Sequence, residues 1–101
     1  MIRAILLVLL LAAPAGAQTR AWTVEKCSRY GQSWSEALSR FGREGLSEEF
    51  LSRHDAFLAS GCQTRNVCPR SPQELAMADV MTVAAMNAGT ASSFVPFICR
   101  D

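Results

Sequence analysis

Four cysteines, Cys27, Cys62, Cys68 and Cys99, restrict the folding of this chain more than any other feature, and they are separated by 34, 5 and 30 residues. An even cysteine count in a short exported chain reads as a disulfide framework of two bonds. A four-cysteine zinc site would bring its ligands in close pairs such as C-x-x-C, and here only the middle two cysteines are near one another.

Export is itself readable from the start of the chain. A basic residue, Arg3, precedes an apolar run from Ile5 to Ala13, and Pro14 is followed by the small residues Ala15, Gly16 and Ala17. That is the layout of a secretory signal peptide cut after Ala17. The apolar run is less than half the roughly 20 residues a membrane helix needs. The expected organisation is therefore a cleaved signal peptide over residues 1–17 and one small domain over residues 18–101. The expected location is a bacterial periplasm or the extracellular space, with no stable membrane insertion after cleavage. So short a domain gains only a few kcal/mol net from its core, so the disulfides act as staples.

Of the 10 basic residues one, Arg3, leaves with the leader, and the rest balance the 9 acidic ones. The charges are interspersed, which excludes the basic field that a nucleic-acid partner or an anionic membrane surface would require.

The mature sequence reads as all-α. After a loose terminus over residues 18–21, Thr23 is the expected N-cap of a first helix. Cys27, Tyr30, Trp34, Ala37, Leu38 and Phe41 form its apolar face, with Arg29, Glu36 and Arg40 opposite. Glu25 with Arg29 and Glu36 with Arg40 are spaced for i, i+4 pairing. Gly42 or Gly45 ends this helix. Ser47 caps a second, with Glu48 and Glu49 in its first turn, His54 at the centre of an apolar face that includes Phe50 and Phe57, and Gly61 at its close. A polar loop over residues 63–70 follows. Ser71, Pro72 and Glu74 then form a capping box for a third helix that runs to about Ala88. Its apolar residues extend round most of the circumference, with Met77, Val80, Met81, Ala84 and Ala88 as the expected inward stripe. A short fourth helix is expected from Ser92 or Ser93, carrying Phe94, Val95, Phe97 and Ile98 to Cys99.

Antiparallel packing chooses among the three connectivities open to four cysteines. The start of the first helix lies beside the end of the second, which pairs Cys27 with Cys62. The start of the third lies beside the end of the returning segment, which pairs Cys68 with Cys99. The expected fold is thus a disulfide-stapled four-helix domain of two helical hairpins, each closed separately and joined by a tether.

For chemistry the sequence offers little. His54, the single histidine, reads first as a buried neutral imidazole with one hydrogen bond, and second as a pH-sensitive group, because charging a desolvated ring costs free energy. No nucleophile has a base and an orienting acid beside it, no cofactor motif occurs, and the serines fall at caps and surfaces. A second candidate is an apolar contact surface made by the mixed stripe Leu75, Asp79, Thr82 and Met86 on the third helix, with Phe94 and Phe97 from the end of the chain. So many apolar groups exceed what one small core hides. The expected function is a non-enzymatic binding or protein-interaction module without cofactor, whose partner is another protein, an apolar small molecule or a second copy in a homodimer. The alternatives are a helical-bundle carrier of a lipid or other apolar ligand, and a small enzyme without a recognisable motif.

Overall fold

The computed structural model describes residues 15–100, and the expected leader lies, apart from its last three residues, outside them. Three α-helices follow in order: α1 (Ala15–Phe41), α2 (Glu48–Ala59) and α3 (Pro72–Asn87). A three-residue 3-10 turn, Ser92–Phe94, comes last.

The first helix starts earlier than its sequence signals indicate. Thr23 lies inside α1 rather than capping it. No proline occurs from Ala15 to Phe41, and the segment before Thr23 is made of residues that a helix tolerates, so the potential cap is overrun. The helix stops at Gly42, whose φ of 77° is open to glycine at little cost and whose N–H donates to the Leu38 carbonyl at 2.9 Å. Of the two charge pairs, Glu25–Arg29 forms at 2.9 Å, whereas Glu36–Arg40 is not an ion pair among the described residues.

The other helix boundaries follow their caps. Ser47 accepts a hydrogen bond from the Phe50 N–H, and Ser71 accepts one from the Glu74 N–H. Both α2 and α3 end in the same hydrogen-bonded loop. The Gly61 and Cys62 N–H groups donate to Leu58 and Phe57, and those of Gly89 and Thr90 to Met86 and Ala85. This double bond satisfies carbonyls that a helix C-terminus would otherwise leave unpaired.

The expected fourth helix is not formed. Beyond the 3-10 turn Val95 has φ −67° and ψ 153°, the extended geometry that a following proline imposes, and Pro96 has no N–H to continue a helix. The extended strap runs instead beside residue 67. The Val67 N–H donates to the Pro96 carbonyl and the Ile98 N–H to the Val67 carbonyl, both at 3.0 Å, as one parallel bridge.

Cys27 is bonded to Cys62 and Cys68 to Cys99, the pairing that antiparallel packing predicts. The two halves are nevertheless not separately closed. Phe97 of the strap stacks on Phe50 and His54 of α2, and Phe94 meets Tyr30 and Phe57 edge-on. Val67, within the stretch expected to be a polar loop, is completely buried. One core is therefore shared by α1, α2, α3 and the strap.

Candidate functional site

Among the described residues, three places concentrate polar or exposed groups that a simple core would not have. The first is built on Tyr30 and Trp34 of α1 and Phe50, His54 and Phe57 of α2. Their spacing of three or four residues puts each set on one helix face, and the hairpin brings the faces together. His54 is 0% exposed, with its ring 3.6 Å from that of Trp34 between centroids. Its Nε2 lies 2.7 Å from the Tyr30 hydroxyl, and its Nδ1 has no hydrogen-bond partner.

Hydrogen-bond accounting selects the tautomer. If Nε2–H donates to the tyrosine oxygen, both the Nδ1 lone pair and the tyrosine O–H are left without partners. If Tyr30 donates to Nε2, only Nδ1–H is left. The second arrangement leaves fewer buried groups unsatisfied and is the favoured one. Burial without a carboxylate pushes the His54 pKa down to about 3, and burial raises that of Tyr30 well above its ordinary value. His54 is thus a neutral, sealed imidazole, with no open face to receive a substrate or a metal ion. Among the described residues no three His, Cys, Asp or Glu converge as metal ligands, and all four cysteines are in disulfides.

The second place is Glu74, which is 3% exposed yet ionised. Its Oε1 accepts from the N–H groups of Arg70 and Ser71, and its Oε2 from the Ser47 N–H and hydroxyl, at 2.8–3.0 Å. Burial alone would raise its pKa. The bonds from Ser71, Ser47 and Arg70 outweigh that and bring it down to about 2. The capping box is legible in the sequence, but the second half of the clamp is not, because Ser47 caps a different helix 27 residues away. The Ser71 hydroxyl also donates to the Gly45 carbonyl at 2.6 Å. One carboxylate therefore fastens the starts of α2 and α3 together, a structural role without free valence for a ligand.

The third place is the outside of α3 and the adjoining end of α1. The stripe of α3 that faces the core is Glu74, Met77, Ala78, Met81 and Ala85. Val80 is exposed and Ala84 and Ala88 are half-buried, so the inward stripe is rotated from the expected one. The expected contact surface divides. Leu75, Asp79 and Met86 are exposed, and Thr82 is half-buried with its hydroxyl donating to the Ala78 carbonyl. Phe94 and Phe97 are half-buried against the core and do not belong to an outer face. The surface instead extends to Phe41, Val80 and Val83, which are 57%, 37% and 53% exposed. The sequence places Phe41 on the inward face, but it is the last residue of α1 and is 57% exposed.

Phe41 and Val80 both line two neighbouring hollows. One is an open groove of about 660 Å³ between α1 and α3, with Ala37, Met81 and Ala84 in its lining. The other, about 170 Å³, is lined by Leu46, Ala76 and Met77. Asp79 is the one exposed charged residue of α3. Among the described residues no helix is long and apolar enough to cross a membrane. No protein family, curated protein or solved structure matches the chain.

Proposed function

We propose that the protein is a non-enzymatic interaction module that works through the outer face of α3 and the end of α1. The observation that carries this reading is the set of large apolar side chains left in water there. Phe41, Leu75, Val80, Val83 and Met86 are 37–57% exposed at the end of α1 and along α3, where Asp79 is the one exposed charged residue of α3. Contiguous apolar patches on small soluble domains are characteristic of contact sites. Rigid support favours the same use, because Glu74 and two disulfides hold the helices that present the face. The disulfides also fit an oxidising compartment, and with the leader-like residues 1–17 they support export to a periplasm or the extracellular space.

Two alternatives have less behind them. A carrier of an apolar molecule encloses most of its ligand, whereas the hollows along α3 open to solvent. An enzyme needs an accessible acid, base or nucleophile, whereas the histidine is sealed and the cysteines are oxidised. Native mass spectrometry of protein purified from its own compartment tests the reading. A stoichiometric second polypeptide that disappears in Val80→Glu supports it. A retained lipid mass supports the carrier, and a bare monomer in both forms refutes the interaction module.

A further inference from the structure

Resting on the reading of residues 1–17 as a cleaved leader, we infer that the exported protein is blocked at its new terminus, where Gln18 closes on its own α-amine to form pyroglutamate, a neutral lactam. The small residues Ala15, Gly16 and Ala17 place the cut immediately before Gln18, so this glutamine becomes the first residue of the mature chain. Glutamine has the side-chain length the reaction needs, because attack of its α-nitrogen on its own Cδ closes an unstrained five-membered ring.

The step balances without a co-reactant. The lone pair of the neutral amine forms a bond to Cδ, and the bond from Cδ to Nε2 breaks. The departing nitrogen takes up the amine proton and leaves as ammonia. Nothing is oxidised or reduced. Nucleophile and electrophile belong to one residue, so their effective concentration far exceeds any reached between separate molecules.

The start of α1 favours the reactive, unprotonated amine and leaves it unengaged. Ala15–Phe41 is one helix, so a cut after Ala17 puts Gln18 in what becomes its first turn. The first N–H groups of a helix have no intrahelical partner, and no backbone hydrogen bond of the helix is lost when this nitrogen reacts. The positive end of the helix dipole disfavours an ammonium there, as does Arg20, two residues on. No carboxylate close by offsets them. The first acidic residue after the cut is Glu25, roughly 10 Å along the axis, and it is already bonded to Arg29 at 2.9 Å. Side-chain contacts support the helix upstream of Cys27, since the Trp22 ring lies 5.9 Å from the Lys26 ammonium and 5.4 Å from the Arg29 guanidinium. Lys26 in turn lies 5.4 Å from the ring of Phe94, which ties this part of α1 to the end of the chain. Lactam formation removes the terminal charge from the helix start and leaves no free amine for an aminopeptidase to engage.

Intact-mass spectrometry and N-terminal sequencing of the full chain, expressed with its own leader and purified from the exported compartment, provide the test. The expected mass is that of residues 18–101 with both disulfides formed, less one ammonia. Sequencing should give no signal until pyroglutamyl aminopeptidase removes the first residue, and should then read from Thr19. Gln18→Ala should be cut at the same place, lose no ammonia and be read directly from the substituted position. A wild-type terminus at Gln18 that keeps its free amine after prolonged warming at neutral pH overturns the inference and leaves the leader reading intact. A chain that begins at Met1, or anywhere other than residue 18, overturns both. The interaction module is judged separately, by the second polypeptide sought in native mass spectrometry.

Discussion

Acidification should weaken this protein through His54, which is sealed in aromatic surroundings as a neutral ring. Its pKa is about 3 in the fold against 6.5 in the free side chain. A depressed folded value means that the unfolded chain takes up the proton first. Stability is then complete above pH 6.5 and falls as the pH descends toward 3. A full pH unit between the two values costs about 1.4 kcal/mol, so the step from 6.5 to 4.5, which begins with the unfolded ring half protonated, removes about 2 to 3 kcal/mol. Glu74 enters only below its free value of 4.5, which leaves the upper window to the histidine. Urea unfolding followed by circular dichroism, at constant ionic strength and with the disulfides intact, reads the effect. With a slope of about 1–3 kcal/mol per molar urea, the midpoint should fall by about 1–3 M over those two pH units. His54→Gln removes the titration and should make the midpoint flat in this window, whatever its absolute stability. A wild-type midpoint that does not move between pH 6.5 and 4.5, or a variant that keeps the wild-type slope, would refute the reasoning.

Glu74→Gln tests the clamp between the starts of α2 and α3. The shift from 4.5 to about 2 corresponds to about 3 kcal/mol that the variant should lack at pH 7. The stability difference from wild type should shrink toward zero as the pH falls from 4.5 to 2, when the wild-type carboxylate is itself protonated. Two glycines should respond oppositely to alanine in thermal unfolding. At Gly45, φ is 79° and an added Cβ falls within 3 Å of the Gln73 side chain, so the substitution should cost more than about 1 kcal/mol. At Gly31, inside α1, the new Cβ would lie 3.7 Å from Leu58 Cδ2 in ordinary contact, and stability should rise by about 0.5–1 kcal/mol. Replacing Cys68 and Cys99 by serine frees a loop with a sequence separation of 31, which should cost about 3–4 kcal/mol in equilibrium unfolding.

Local signals made much of the architecture legible. Ser47, Ser71 with Glu74, Gly42, Gly61 and Gly89 mark helix ends by chemistry that needs no tertiary contact, and once the hairpin is drawn the cysteine pairing follows. Three expectations fail, for reasons that are partly local and partly a matter of non-local packing. Thr23 is a good cap, but α1 continues through it because nothing upstream stops the helix. Phe94 to Ile98 look helical by composition, but Pro96 and the hydrogen bonds to Val67 hold them extended. Val67 stands alone among polar residues and gives no periodic sign of its complete burial. The face proposed for contact was only half legible for a different reason. With apolar residues round nearly the whole of α3, periodicity cannot say which side the rest of the protein covers, so Val80 and Val83 emerge only once Glu74 and Met81 are seen to face inward.

The claim that α3 presents the working surface can be tested where the protein acts, without knowing the partner. A photo-crosslinking side chain placed at Val83 should give discrete protein adducts in the native compartment. The same group at Ser52, exposed on α2, should give none. Equal adducts at both positions, or adducts at Ser52 alone, would contradict the account.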